Sequence, residues 1–271
     1  MNTRIGKLIA FGFLLAAATA WANHPVFVEG NCMVPPFGFH NSSVVPVGGT
    51  CGDFDGDGRI GTAEDDDGDR VFGTIGAALA AAGANQNGEV LIVTNGTFAE
   101  VVTITAANGN VTLQAAPGVE ANIDAVYQGD PGNGSRQGQA GIIVSAPATR
   151  YVIIRNITSR NWTDGIRVDS GRVALINVRS DNNRDNGVRI TGSSRITIDS
   201  SQIVASGFRS GGVATANPGH GISFEGTSSG SVSRTAVIGS VGTGVNSSST
   251  GTVTLTSVIL SDNGTDKSSG L

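Results

Sequence analysis

The chain has 271 residues, with 22 acidic and 17 basic side chains, a net charge of −5, 40 glycines and only 5% aromatic residues. An acidic balance argues against a general nucleic-acid binder, which needs a cationic surface. The shortage of large rings suits a core in which aliphatic side chains stack inside narrow coils.

Residues 1–22 predict a secretory signal. Arg4 and Lys7 precede an apolar run from Leu8 to Ala18, and Ala20-Trp21-Ala22 supplies small residues for cleavage after Ala22. The run is too short to span a bilayer comfortably, and no Cys follows the cut to carry a lipid. The expected location is secreted, periplasmic or cell-surface, without a membrane span. Cleavage takes two cations and no acids from a net charge of −5, leaving −7.

Residues 23–71 form an expected N-terminal segment with two features. Cys32 and Cys51 are the only cysteines, and in an oxidising compartment they predict one disulfide stapling a Pro- and Gly-rich stretch. Free thiols are the other reading. Immediately after, Asp53-Phe-Asp55-Gly-Asp57-Gly-Arg59-Ile-Gly-Thr-Ala-Glu64 fits the calcium-loop pattern D-x-D-x-D-G-x5-E. Carboxylates of Asp53, Asp55 and Asp57, the Arg59 carbonyl and a bidentate Glu64 would converge on one calcium ion. Pro46-Val-Gly-Gly-Thr50 cannot be an entering helix, so the loop resembles dockerin-type or other extracellular calcium loops within the broader EF-hand pattern. The competing reading is an acidic linker, continued by Asp65-Asp66-Asp67-Gly68-Asp69.

From Phe72 onward the pattern changes. Ile75, Leu79 and the alanines of 74–83 give one apolar helical face, with Gly83 as its C-terminal cap. Strand-like sequence follows in Glu89-Val-Leu-Ile-Val-Thr-Asn-Gly-Thr-Phe-Ala-Glu100. From about Tyr151 a two-part repeat runs to the C-terminus. Its first part is an apolar pair five apart, at Val152/Ile157, Val173/Val178, Ile198/Ile203, Val232/Val237 and Val253/Val258, in steps of 21, 25, 34 and 21 residues. Its second part is Gly followed by alternating apolar residues, at Gly165-Ile-x-Val168, Gly187-Val-x-Ile190, Gly221-Ile-x-Phe224 and Gly244-Val245. Alternation within short Val-, Ile- and Thr-rich segments is period two, which specifies strands. A repeat of this length that cannot bury its own apolar face specifies a solenoid of parallel sheets.

These residues resemble the right-handed parallel β-helix, or pectin-lyase-like, superfamily over 72–271, about three quarters of the chain. The 74–100 stretch is similar to the entry of pectin methylesterases, where a short helix caps the stack before a Gly-x-aromatic-x-Glu turn. The resemblance implies an all-β, single-stranded right-handed β-helix with an N-terminal capping helix. It identifies architecture better than activity, and the later catalytic motifs of the methylesterases are missing.

Nine arginines lie between Arg150 and Arg195, and Arg167 and Arg189 share the slot two after the coil glycine. Stacked guanidinium groups suit planar carboxylates or sulfates, which predicts a groove for an acidic polysaccharide. A salt-bridge lattice with Asp164, Asp169, Asp181, Asp185 and Asp199 is the alternative. Trp162 is expected to offer a ring for sugar stacking, with Tyr127 and Phe208 near the two insertions at 129–138 and 208–218 that interrupt the rhythm. Asn161-Trp-Thr-Asp164-Gly, Asp185-Asn-Gly and Gly-His220-Gly resemble the N-T-D, D-D and G-H-G motifs of polygalacturonases, which would make Asp164 and Asp185 an acid and base pair with His220 beside them. Asn186 replaces one family carboxylate and no Arg-x-Lys follows, so the same residues also read as turn chemistry. The expected function is therefore a non-catalytic exported β-helix that binds carbohydrate or serves the cell surface. A polysaccharide hydrolase or lyase is the alternative, and the last coil is a candidate surface for oligomerisation.

Overall fold

The computed structural model describes residues 26–28, 33–34, 38–39, 71–72, 74–82, 88–125, 139–207 and 219–271. The signal residues 1–22, Cys32, Cys51, the calcium-pattern residues Asp53, Asp55, Asp57, Arg59 and Glu64, and Tyr127 and Phe208 lie outside the described residues.

Three parallel sheets run side by side along one stack. Sheet I has nine strands, including Val26–Val28, Val71–Phe72, Gly88–Ile92, Val111–Ala115, Tyr151–Arg155, Arg172–Ile176, Arg195–Asp199, Ser229–Ser233 and Val253–Thr256. Sheets II and III have seven strands each. One coil takes one strand from each sheet in turn, as in Tyr151–Arg155, Ile157–Arg160 and Asp164–Ser170. This is an all-β right-handed parallel β-helix. Val26–Val28 hydrogen-bonds to Gly88–Ile92, so sheet I begins upstream of Phe72, within the N-terminal segment.

The interior follows from alternation. On sheet III, Val102, Ile142, Ile166, Val188, Ile222 and Val245 stand in one column, and Ile104, Val144, Val168, Ile190 and Phe224 in the next. All are buried, and each aliphatic side chain contributes about 1.5–3 kcal/mol. On sheet I the true columns are Val152, Val173, Ile196, Gly230, Val253 and Ile154, Leu175, Ile198, Val232, Leu255. The apolar pairing expected from sequence was therefore displaced by two residues at Ile198/Ile203 and Val232/Val237. Residues two apart on a strand face the same side, so such a slip leaves the apolar pattern intact.

The corners are one-residue left-handed turns. Between sheets I and II these are Asn156, Asn177, Ser200, Arg234 and Ser257, and between II and III they include Asn161, Asn182 and Asp262. Asn tolerates this conformation because its short amide bonds locally. Here the amides also chain from coil to coil, Asn177 Nδ2 donating to Asn156 Oδ1 at 2.9 Å and Asn182 Nδ2 to Asn161 Oδ1 at 2.8 Å.

The helix Ile75–Ala82 covers the first coils with Ile75, Ala78, Leu79 and Ala82, all buried. Its N-terminus leaves unbonded N–H groups that need acceptors. Thr74 Oγ1 accepts from Ala77, and the two carboxylate oxygens of Glu100 accept from Ile75 at 2.7 Å and Gly76 at 2.9 Å. A negative group at that end also suits the helix dipole. The Glu of the entry turn is thus a helix clasp. No helix among the described residues is long and apolar enough to cross a membrane.

Candidate functional site

The residues immediately before the coil glycines of sheet III are Asp164, Asn186, His220 and Thr243. Pairing of Ile166 with Val188, Val188 with Ile222 and Ile222 with Val245 puts them one above another. The side chains of the first three form a ladder to the main chain of the following coil. Asn186 donates to Asp164 Oδ1 through its backbone N–H at 3.2 Å and through Nδ2 at 2.9 Å. His220 N–H donates to Asn186 Oδ1 at 3.1 Å, and Thr243 N–H donates to His220 Nδ1 at 3.0 Å. Each side chain thereby satisfies a donor at a corner where a buried N–H would otherwise be costly.

The ladder sets the protonation chemistry. Asp164 is buried, and loss of solvent raises its pKa above the usual value even though bonds from Asn186 and the nearby Arg189 charge pull the other way. Burial likewise raises Asp185. His220 is pushed below its ordinary value by burial, despite the opposing influence of Glu225 and of the Thr243 bond. With Nδ1 accepting from Thr243, the neutral ring carries its proton on Nε2.

The raised Asp164 pKa has a consequence for stability. A carboxyl whose folded pKa exceeds its unfolded one stabilises the fold below the unfolded pKa, and that contribution disappears as pH rises through the folded pKa. Asn at this position can still accept both Asn186 N–H groups. Asp164→Asn is therefore expected to match wild type in acid and to become progressively more stable than it towards neutral pH. Thermal melts of both proteins across that range check this, and parallel pH profiles would refute it.

Outside the ladder, sheet III presents Arg167, Arg189, Ser223 and Asn246 in one column. The two arginines do stack on neighbouring coils, but each is already neutralised. Arg167 Nε lies 3.1 Å from Asp169, and Arg189 is bidentate to Glu225 with both bonds at 3.0 Å. The Glu225 bond holds Arg189 more firmly protonated, outweighing its partial burial. Arg179 pairs with Asp181, Arg234 with Asp199 and Arg160 with Asp124. The described residues therefore carry a set of such pairs on sheets II and III and, through Asp199 and Arg234, at the end of sheet I strands.

A polar hollow of about 340 Å³ opens over this part of sheet III, bordered by Asp185, Asn186, Arg189, His220, Glu225 and Asn246. It brings together Asp185, His220 and Arg189 of the residues singled out by sequence. Asp164 and Arg167 do not line it. Trp162 is a correction: its side chain is 1% exposed, with Nε1 donating to the Ile123 carbonyl at 2.9 Å, so it offers no ring to a sugar. Ser223, Glu225 and Asn246 went unrecognised, although Ser223 and Asn246 occupy the same slot two after the coil glycine that singled out the arginines. A larger hollow of about 560 Å³ lies over the asparagine turns near Asn156 and Asn177. It carries no acid–base pair, and its Arg179 is already held by Asp181 and Gln202, so sheet III remains the candidate. Among the described residues no three His, Cys, Asp or Glu side chains converge as metal ligands.

Residues 140–271 match the family model described as right handed beta helix region. That match, over just under half of the chain, and the three parallel sheets fit an all-β right-handed parallel β-helix. Comparison with curated proteins and with solved structures found no match.

Proposed function

We propose that the protein is an exported, non-catalytic β-helix that binds carbohydrate across the sheet III hollow. The observation that carries this reading is the side-chain ladder. Glycoside hydrolysis needs a carboxyl group free to protonate the leaving oxygen and a second one across the bond, yet Asp164 faces inward and is bonded to Asn186, and His220 Nδ1 is occupied by Thr243. What remains accessible around the hollow is a set of donors and acceptors, Arg189 with Glu225, His220 Nε2 and Asn246, of the kind that holds sugar hydroxyls. The secretory pattern of residues 1–22 supports export.

The test is a glycan array together with a reducing-sugar assay on the mature protein, from mildly acidic to neutral pH. Retention of hydroxyl-rich glycans without release of reducing ends is expected, with retention reduced by Asn246→Ala. Release of reducing ends that disappears in Asp185→Asn would overturn the non-catalytic reading and make the hollow an active site.

A further inference from the structure

Nine of the ten described arginines fall into two groups. Arg160, Arg167, Arg179, Arg189 and Arg234 each hold a carboxylate. Arg150, Arg155, Arg172 and Arg195 hold none among the described residues, and all four lie in sheet I strands or immediately before one. Asp199 ends one of these strands but pairs with Arg234, which follows the next sheet I strand.

Tyr151, Arg172 and Arg195 are hydrogen-bond register partners on three consecutive coils. Neighbouring strands are about 4.8 Å apart, so the two side chains share one edge of the sheet, with no ion pair to either among the described residues. Like charges so placed destabilise the pair. The same sheet edge ends in an exposed ring: Tyr151 is 47% exposed and borders a hollow of about 180 Å³ together with Asn110, Thr112 and Ile153.

We infer that this edge of sheet I is a binding site for an acidic polysaccharide that runs along the stack, one sugar ring against Tyr151 and successive carboxylate or sulfate groups on Arg172 and Arg195. An aromatic face takes the apolar side of a sugar, and a guanidinium takes a planar anion through two parallel bonds. One acidic group per ring meets one guanidinium per coil, and the anions remove the repulsion that the free protein carries. A nucleic acid fits less well, because a duplex strand carries one phosphate about every 3.4 Å along its axis, out of step with guanidinium groups about 4.8 Å apart. The site lies on a different sheet from the hollow at His220, so either reading can fail without the other.

The experiment measures retention of the mature protein on polygalacturonate, on its methyl ester, and on dextran sulfate. Polygalacturonate or dextran sulfate is expected to bind, more weakly as salt rises, with the methyl ester of the same chain left behind. The double change Arg172→Gln and Arg195→Gln is expected to weaken binding about tenfold or more, the loss of at least one charge-assisted bond. Its Tm should equal or exceed that of wild type, because the repulsion is gone. Arg167→Gln with Arg189→Gln serves as the comparison on sheet III and should leave polyanion binding in place. Retention of neutral glycans by the sheet I variant, read on the same samples, reports separately on the His220 hollow. Failure of both polyanions to bind, wild-type affinity in the Arg172/Arg195 variant, or equally tight binding of single-stranded DNA overturns the inference.

Discussion

Gly187→Ala is expected to destabilise the protein by about 1–3 kcal/mol or more, the range for forcing extra atoms into a packed interior. A Cβ at Gly187 would stand 2.3 Å from Ile203 Cγ2 and 2.7 Å from the Gly221 carbonyl oxygen of the next coil. The same conflict recurs at Gly165, 2.7 Å from the Gly187 oxygen, and at Gly221, 2.5 Å from the Gly244 oxygen. A backbone oxygen cannot rotate away as a side chain can, so relief requires the coils to separate. In a solenoid each coil is stabilised mainly by its two neighbours, and a separated coil weakens the interfaces on both of its sides. Gly96→Ala is the control, since its Cβ would meet only Phe98 at ordinary contact distances of 3.8 and 3.9 Å. Chemical denaturation of both variants decides the matter. Equal midpoints for Gly187→Ala and Gly96→Ala would mean that the coils are not pressed together as described.

That steric demand also explains which parts of the fold were legible in the sequence. The sheet III series was aligned correctly from Gly165, Gly187, Gly221 and Gly244 because only glycine fits the slot, and one residue type at one place fixes the register. The apolar series of sheet I had no such marker. Val, Ile and Leu are interchangeable in a column, so Ile198 could stand in for Ile196 without any visible cost to the pattern. Helix Ile75–Ala82 was legible from its own face, but the role of Glu100 as its clasp needed the 25-residue return of the chain. The candidate site was legible as a set of positions and not as a set of bonds. Arg167 and Arg189 were correctly stacked, whereas the partner of Arg189 is 36 residues away on the next coil. No local spacing announces such a pair. For the same reason the sheet I arginines that hold no carboxylate among the described residues could not be separated from the paired ones until the described carboxylates had places.

Trp162→Ala is expected to cost about 3–5 kcal/mol, the range for removing a buried Trp or Phe ring. The sequence offered a large ring in a polar stretch beside an insertion, which favours a reading as an exposed platform. The structure gives it the opposite role. Trp162 occupies an inward corner position between sheets II and III, where Asn183, Ser206 and Ser240 are also buried on later coils. Room for the indole comes from Gly141, where a Cβ would lie 2.6 Å from the ring. The indole N–H ends on the Ile123 carbonyl, and the Trp162 backbone N–H donates to the buried Asn183 Oδ1 at 3.1 Å. Alanine would empty this corner, and the coils on either side are too constrained by their hydrogen-bonded strands to close over it. Trp162→Phe separates packing from the hydrogen bond: it keeps a ring but leaves the Ile123 oxygen without the indole donor, at a smaller cost of about 1–3 kcal/mol. Neither of the proposed sugar sites uses this side chain, so on those proposals folded Trp162→Phe should retain neutral and acidic glycans as wild type does. Wild-type melting of Trp162→Ala combined with lost glycan retention would reverse the assignment, because a ring that contributes to binding and not to stability must be exposed at the surface.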